Sequence, residues 1–334
     1  MAKIVNKSVN MRKNTFCILC IAAAALVLTS ATASHNSVTV IKETPAIPAG
    51  PGESQAPATI IKDYKCANFR GLHISSVFDV TVNRSSNYST RIEISKEYEE
   101  YLDIRVVNGI LKIGFTNTSR AKRLFTHMDK CVAVATISMP ALESADLSGA
   151  SKLNAPDTFD LRGNDFRLHV SGASEVYNLD INGGDAYITV SGASKAALSG
   201  RFEDIDIQLS GASKLDLNAK AEDIDIDASG SSSAEIEGSF DAVDAQCSGA
   251  CGISLTGNAD ELEIGCSGAS GVNALKMAAG SVDVDLSGAS YAKVYVLDEL
   301  EVDCSGASSC TYKTEGKIDL DIHEVSRSAT LKKL

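Results

Sequence analysis

The chain has 334 residues, a formal net charge of −12 and a hydrophobic fraction of 44%. This length allows a continuous core, and the negative charge argues against nucleic acid and anionic membrane surfaces as partners. With no Trp and only 5% aromatic residues, the composition also disfavours a lectin that stacks sugars on many exposed rings.

Residues 1–33 have the pattern of a secretory signal peptide. Basic residues precede an apolar run over 16–28, which is followed by the small-residue cleavage pattern Ala31-Thr32-Ala33. The run is short for a membrane span, and the residues before Cys17 and Cys20 do not fit a lipid-acceptor site, so we favour simple cleavage. We therefore expect an exported protein in the periplasm, on the outer cell surface or outside the cell, with no transmembrane segment in the mature chain.

Residues 34–59 are predicted to be a Pro/Gly-rich linker. Four of the six prolines of the chain lie here, with two glycines between them. Such a composition favours an extended, solvated chain.

Residues 60–147 form an N-terminal β-rich part in which apolar and polar residues alternate with a period of two. Turn residues such as Asn108-Gly109 divide the segment. The pattern predicts strands over 77–82, 89–94, 104–107, 110–115 and 132–137.

A Ser-Gly-Ala-Ser motif recurs every 18 to 23 residues through 148–334, and usually every 19 or 20. A period of this length is typical of one coil of a β-solenoid. The fold class predicted is therefore all-β, a single-stranded parallel β-helix in which the motif forms a corner on every coil. The motifs and their variants begin at Ser148, Ser171, Ser191, Ser210, Ser229, Ser248, Ser267, Ser287 and Ser305.

Each coil is predicted to have at least two strands, one on either side of the motif. Counting from its first Ser, the residues at minus one, minus three and minus five are apolar, as in Leu209, Ile207 and Ile205, and those at plus five and plus seven are mostly apolar. We expect these residues to point inward. Within the corner we expect Gly to supply an unusual backbone angle, Ala to fill the inner side and the serines to bond nearby backbone. Nine similar serines indicate a structural role rather than one nucleophile.

Five segments in a fixed order resemble the head GIN domain family of auto-transporter adhesins. The resemblance covers the chain from about Tyr64 to its end and implies an exported bacterial protein with a single-stranded parallel β-helix. It supplies no catalytic or binding residues. The segments are Phe69-Arg70-Gly71-Leu72, Phe78-Asp79-Val80-Thr81-Val82, Asn108-Gly109-Ile110-Leu111-Lys112-Ile113, Met139-Pro140-Ala141-Leu142 and Leu147-Ser148-Gly149-Ala150-Ser151.

Acidic residues at the outward positions minus two and minus four form the best candidate site. Carboxylate oxygens are the ligands that Ca²⁺ prefers, so a cation ladder is one interpretation, and a solvated face that keeps the sheet soluble is the other. The sequence favours the solvated face, because the glycine-rich repeats of calcium-binding β-rolls are absent. No other cofactor is predicted. The ladder comprises Asp206, Asp225, Asp227, Asp244, Asp283, Asp285, Glu301 and Asp303, with Glu263 in the same series.

Seven cysteines lie beyond the predicted signal peptide, without metal-ligand spacing. Three of them, Cys247, Cys266 and Cys304, stand at the inward minus-one position, so we expect reduced, buried thiols there. The disulfide that we consider is Cys66–Cys131.

Two functions remain open. The first is a non-enzymatic adhesin or structural rod that binds an extracellular ligand, such as a glycan or a host-surface protein, with Tyr187, Tyr291 and Tyr295 as exposed aromatic candidates. The second is a carbohydrate-active β-helix enzyme, a polysaccharide lyase or hydrolase. The regular acid ladder and the scattered histidines indicate no catalytic group, so the sequence favours the first.

Overall fold

The computed structural model describes the backbone of residues 39–45 and all of 58–116 and 131–334. The fold is an all-β parallel solenoid of about 10 turns, which confirms the predicted fold class. The signal-peptide prediction lies outside the described residues. The predicted linker lies partly outside them, and Thr39–Pro45 within it is a strand.

The N-terminal part contains nine strands and one 3₁₀ helix, over Lys96–Tyr101, in its described residues. The strands are β1 (Thr39–Pro45), β2 (Thr59–Lys65), β3 (Gly71–Ile74), β4 (Asp79–Arg84), β5 (Ser89–Ser95), β6 (Leu102–Val107), β7 (Ile110–Phe115), β8 (Ala133–Met139) and β9 (Ser144–Leu147).

The repeats contribute the remaining strands. These are β10 (Lys152–Asn154), β11 (Phe159–Asp160), β12 (Phe166–Val170), β13 (Glu175–Asn182), β14 (Ala186–Val190), β15 (Lys195–Arg201), β16 (Asp204–Leu209), β17 (Lys214–Lys220), β18 (Asp223–Ala228), β19 (Ser233–Cys247), β20 (Gly252–Cys266), β21 (Gly271–Leu286), β22 (Tyr291–Cys304), β23 (Ser309–Lys313), β24 (Asp319–Val325) and β25 (Thr330–Lys333).

The repeat strands form two parallel rows, one from the residues before each motif and one from the residues after it. The first row runs β9, β12, β14, β16, β18, then the C-terminal halves of β19 to β22, then β24. The second runs β4, β10, β13, β15, β17, then the N-terminal halves of β19 to β22, then β23 and β25. Each coil is therefore paired along its whole length.

Some N-terminal strands depart from this parallel pattern, although β3 pairs parallel with β7 and β9, and β4 with β8. β1, β2, β5 and β8 pair antiparallel in that order, and β6 pairs antiparallel with β7. The turn between β6 and β7 is Asn108-Gly109, and both residues have positive φ, 52° and 75°. Two positive φ angles define the type I′ turn, whose twist suits a hairpin.

The core follows the predicted inward stripe. Ile226 is 1% exposed and lies between Ile207 and Ala245 in strand register, and the inward residues of the coils before β24 are buried in the same way. No coil buries its apolar face alone, because the neighbouring coils cover it above and below.

The corner differs from the prediction in one respect, since Ala lies outside and the final Ser lies inside. Ala269 is exposed, whereas Ser270 is buried and its hydroxyl donates to the carbonyls of Ser267 (2.7 Å) and Cys247 (2.9 Å). Counted from the first Ser of the motif, the final Ser stands at plus three, and the inward residues of the strand that follows stand at plus five and plus seven. The strand alternation therefore places the final Ser inside as well. The glycines have φ near +75°, as at Gly230 (+73°), where an added Cβ would lie 2.8 Å from the Gly211 carbonyl oxygen.

The predicted burial is confirmed for Cys247, Cys266 and Cys304, and the predicted reduced state is confirmed for Cys266 and Cys304 but wrong for Cys247. Cys247 is disulfide-bonded to Cys251, and their Cα atoms lie 6.1 Å apart, within the range that a disulfide spans. Cys251 replaces the buried final Ser of its motif. The two thiols therefore meet across one corner, and not between stacked coils.

The disulfide that the sequence suggested between Cys66 and Cys131 does not form, since both cysteines are free. β2 and β8 flank β5 on opposite sides. Cys66 interacts with Thr90 and Cys131 with Ser95, five residues apart on β5, so about 17 Å of strand separates the two thiols.

Candidate binding surface

The first row carries a column of outward acids on successive coils. In strand register the acids are Asp206, Asp225, Asp244, Glu263, Asp283, Glu301 and Asp321, and Tyr187 stands next to Asp206 at the N-terminal end of the column. Neighbouring strands lie about 4.8 Å apart, so the stacked carboxylates repel one another. We call this surface the acidic face.

The acidic face contains two shallow depressions. A groove of about 630 Å³ is lined by Asp206, Asp225, Asp244 and Asp283 of the predicted ladder, together with Glu263 and the neighbouring column Asp185, Asp204, Asp223 and Glu261. A smaller one of about 300 Å³ is lined by Asp283, Asp285, Glu301 and Asp303 with His323. Asp227 is in register with Gln208 and Gln246 and lines neither depression.

Four carboxyls of the column have raised pKa values. Partial burial is the largest cause for Asp225, Asp244, Glu263 and Asp283. Neighbouring acids add to the shift, since a like charge disfavours ionisation. For Asp225 these are chiefly Asp244 and Asp206. Ionisation of these four carboxyls is therefore less favourable in the folded protein than in the unfolded chain.

Two polar contacts relieve that repulsion locally. The Gln246 amide donates to the Asp244 carboxylate at 2.8 Å, and His323 Nε2 lies 2.8 Å from Glu301 Oε1 and 3.8 Å from Asp321 Oδ2. Where the next coil has Gly265 in place of a polar side chain, the Gln246 side chain covers the glycine. No group of three or more His, Cys, Asp or Glu side chains in the described part of the chain is arranged to hold a metal ion. The acids run as a ladder and do not converge on one point.

A His–Asp–His column at the N-terminal end of the same row was missed by the sequence reasoning. Strand register places Asp146 between His73 and His169, and His73 Nδ1 lies 2.7 Å from Asp146 Oδ2. Asp146 and His169 both precede their motif by two residues, so the repeat numbering already aligned them. His73 lies before the first motif, where the sequence gives no register.

The three tyrosines named from the sequence lie on two rows, Tyr187 on the first and both Tyr291 and Tyr295 on the second. Tyr187 is 39% exposed and ends the acidic column, where Arg167 stands 4.9 Å from its ring centre. Tyr291 is 42% exposed and belongs to the second row. Tyr295 is half-buried, with Lys313 Nζ 3.9 Å from its ring centre.

The second row has a groove of its own, of about 540 Å³. Its lining includes Asn218, Thr256, Asn273 and Lys276 beside the acids Asp216 and Glu235. This mixture of amides, hydroxyls and both charges differs from the larger groove of the first row, whose charged lining residues are all acids. The molecule therefore presents two chemically distinct surfaces to a ligand.

Residues 68–239 and 215–316 match the family described as putative auto-transporter adhesin, head GIN domain. The chain belongs to this family. The match includes the acidic face up to Asp303 and most of the second row, so both surfaces described above are parts of the head GIN domain. Among the residues that the structure describes, no helix is long and apolar enough to cross a membrane.

Several crystal structures are similar to this head GIN domain protein. A putative adhesin from Parabacteroides merdae has 15% identity, with 83% of this chain and 96% of that chain covered and a TM-score of 0.46. A putative adhesin from Parabacteroides distasonis has 17% identity, coverage of 83% and 98%, and a TM-score of 0.47. A putative lipid binding protein from the same species has 12% identity, coverage of 83% and 96%, and a TM-score of 0.44. No curated protein matches the sequence.

Proposed function

We propose that this protein is an exported, non-enzymatic adhesin that binds an extracellular ligand, a glycan or a host-surface protein, along the side of its solenoid. The observation that carries the proposal is the repetition of the acidic column on successive coils from Asp206 to Asp321. A ladder of equivalent side chains suits a long partner bound by many similar contacts. Catalysis instead needs a few groups converging on one bond.

Export is supported by the predicted signal peptide and by the disulfide. Disulfides persist mainly in oxidising compartments, and Cys247–Cys251 is buried in the core. The proposed location is the periplasm, the outer cell surface or the extracellular medium.

The two surfaces favour different ligands. The acidic face would attract a partner with regularly spaced positive charges, and long-range attraction of this kind raises the association rate. The second row, with Tyr291 and the polar groove beside Asn273, suits a sugar chain, which needs hydrogen-bonding groups and an apolar ring face. Each surface can be altered without touching the other.

One observation favours the second candidate function, a carbohydrate-active hydrolase. Glycosidases use a pair of carboxyls about 5 to 9 Å apart, one of them with a raised pKa. The raised pKa values of Asp244 and Glu263, on adjacent coils of the larger groove, have that character. The groove lining contains no Lys, Arg or His among the described residues, so it offers no base of the kind that a lyase uses.

The test is a binding screen of the exported form on arrayed glycans and extracellular-matrix proteins, with a parallel assay for released reducing sugar. We expect binding without sugar release. Asp225→Asn with Asp244→Asn reports on the acidic face, and Tyr291→Ala reports on the second row; each variant is the control for the other. Sugar release that disappears in Glu263→Gln would establish the hydrolase instead, and binding that neither variant weakens would contradict both proposed surfaces.

A further inference from the structure

The second row lacks side chains at one outward position on two successive coils. Counted from the first Ser of the motif, the residues at plus four are Lys195 and Lys214 on β15 and β17. On β20 and β21 they are Gly252 and Gly271, which are in register with each other. No atom lies within 4 Å of the point where a Cβ of Gly252 would stand. The surface above Gly252 is therefore open.

An aromatic ring borders this opening. Tyr291 stands next to Gly271 in strand register, and its ring occupies the space that a Cβ of Gly271 would need. The ring therefore lies against the backbone of β21, and Tyr291 is 42% exposed. Lys293 Nζ lies 5.7 Å from the ring centre. An exposed ring with a polar edge is the apolar surface on which a sugar ring can stack.

The polar groups beside the ring are hydrogen-bond donors. Asn273 is in register with Lys293, and its side-chain carbonyl accepts from the N–H of Leu275 at 3.4 Å, which leaves the side-chain NH₂ group for a ligand. Lys276 is exposed on the same strand. An ammonium group has three donors and no acceptor. A ligand at this position must therefore supply the acceptors.

An irregularity of β21 presents Lys276 on the same side as Asn273. Ala274 and Ala278 of β21 are in register with Val294 and Tyr295, which are consecutive residues of β22. Residues 275–277 therefore have no partner on β22, and irregularities of this kind redirect side chains near functional sites. Both Lys276 and Asn273 line the polar groove of the second row.

The charges of Lys276 and Lys293 are not compensated by other residues in the described part of the chain. Neither forms an ion pair there, whereas Lys214 pairs with two acids and Lys313 with Glu315. The nearest acid in the column of Lys276 is Glu237, two coils away, or about 10 Å. In a chain with a net charge of −12, two neighbouring unpaired lysines favour an anionic partner.

From these features we propose that the second row binds an acidic sugar residue, one that carries a carboxylate or a sulfate. The proposal rests on the proposed function, because it specifies the ligand class of the second row. The sugar ring stacks on Tyr291 and extends over Gly252, while the two lysines and the Asn273 amide donate to its anionic group and hydroxyls. The site, called here the Tyr291 site, comprises Gly252, Gly271, Asn273, Lys276, Tyr291 and Lys293.

Isothermal titration calorimetry of the full chain with four polymers tests the proposal. Oligogalacturonate carries carboxylates, chondroitin sulfate carries sulfates as well, pullulan is a neutral glycan and polyglutamate is an anion without sugar rings. We expect one or both acidic glycans to bind at least tenfold more tightly than pullulan and polyglutamate. Comparison of the two acidic glycans identifies the anionic group.

Charge and ring variants assign the binding to the site. Lys276→Gln with Lys293→Gln should raise the dissociation constant for the acidic glycan about tenfold. The matched control is Lys195→Gln with Lys220→Gln, because these lysines are exposed on β15 and β17 of the same row and their loss changes the net charge equally; it should leave binding unchanged. Tyr291→Ala should weaken binding about tenfold, and Tyr291→Phe should preserve it, because the ring remains.

A substitution at Gly252 separates binding from folding. Gly252→Thr places a side chain in the open space over β20, so it should abolish binding of the acidic glycan. The melting temperature should not fall, because the added Cβ meets no neighbour and Thr favours a strand more than Gly does. Circular dichroism melts measure this for Gly252→Thr and check that the other variants are folded.

Each contrary result overturns the Tyr291 site. These results are pullulan or polyglutamate bound as tightly as the acidic glycans, acidic-glycan binding that the lysine pair or Gly252→Thr does not weaken, and no binding of any of the four polymers. The proposed adhesin function survives all of them if the wider screen of glycans and matrix proteins finds another ligand, and it fails only if that screen finds none.

Discussion

The inward and outward positions of one strand provide a direct test of the fold and its energetics. Ile226 and Asp225 are neighbours on β18, yet Ile226 is 1% exposed and Asp225 faces the larger groove. Ile226→Asp would remove about 2 to 3 kcal/mol of apolar burial. It would also bury a carboxyl without a hydrogen-bond partner, at roughly 1 to 3 kcal/mol from comparable mutations. The expected loss is about 3 to 6 kcal/mol, a large part of a typical folding free energy.

The change at Asp225 should have the opposite effect. Because burial and neighbouring acids raise the pKa of Asp225, its ionised form is less favourable in the folded protein than in the unfolded chain. Asp225→Asn removes that charge, so we expect unchanged or higher stability at neutral pH. Ile226→Val calibrates the scale, since the loss of one methylene costs about 0.5 to 1.5 kcal/mol.

Urea and thermal unfolding followed by circular dichroism measure these differences. The deficit of Ile226→Asp should shrink on acidification, because the buried carboxyl favours the protonated state and its penalty grows as the pH rises above the unfolded value near 3.9. Equal losses for Ile226→Asp and Asp225→Asn at neutral pH would refute the inward and outward assignment.

Three further predictions concern the acidic face and the thiols. Because the pKa values of Asp244 and Glu263 are raised, the folded state binds more protons than the unfolded chain. The stability that these two groups contribute is therefore lost as the pH rises from the ordinary pKa values of 3.8 and 4.5 through the raised ones. Thermal melts of Asp244→Asn in the acidic range should show a flatter pH dependence than those of the wild type. Native thiol labelling should spare Cys266 and Cys310, whose pKa values burial raises to about 11 and about 12, and peptide mapping should recover Cys247–Cys251; a Cys66–Cys131 peptide would contradict the structure. If the ladder is a solvated face, sodium and calcium chloride should raise the melting temperature equally at matched ionic strength, whereas a saturable rise specific to calcium, lost in the ladder variants, would establish a cation site.

Most of the fold could be predicted from the sequence because the same alternation of inward and outward residues around the motif applies to every coil. The same numbering placed Ile226 inside and Asp225 outside, and it aligned the acids from Asp206 to Glu301 as the structure does. The inner position of Ala269 was assigned by residue size, whereas the strand parity that was available places Ser270 there instead. Residue size was the weaker criterion for which residue lies inside, because a buried Ser whose hydroxyl meets two backbone carbonyls has its hydrogen-bonding needs met in the core.

The remaining differences depend on contacts that a linear repeat does not encode. The Cys247–Cys251 bond joins the two sides of one corner, whereas the sequence analysis expected a reduced Cys247 and considered Cys66–Cys131 as the disulfide. His73 meets Asp146 through a pairing of β3 with β9 across 73 residues, and β3 lies outside the repeat. Non-local pairings of this kind require the tertiary fold before they can be recognised.

In a solenoid of near-identical coils, departures from the repeat are the places where one coil can bind something that the others cannot. The acidic face has one such place at Gly265, where the outward position next to the acidic column has no side chain and the Gln246 side chain covers the glycine. The second row has another in β21, whose register with β20 shifts between Ser254 and Thr256 and whose Lys276 enters the polar groove. Bulges of this kind redirect side chains near functional sites. A ligand that recognises a single position along the rod should therefore contact these coils, and a ligand that recognises the repeat should be insensitive to changes at either one.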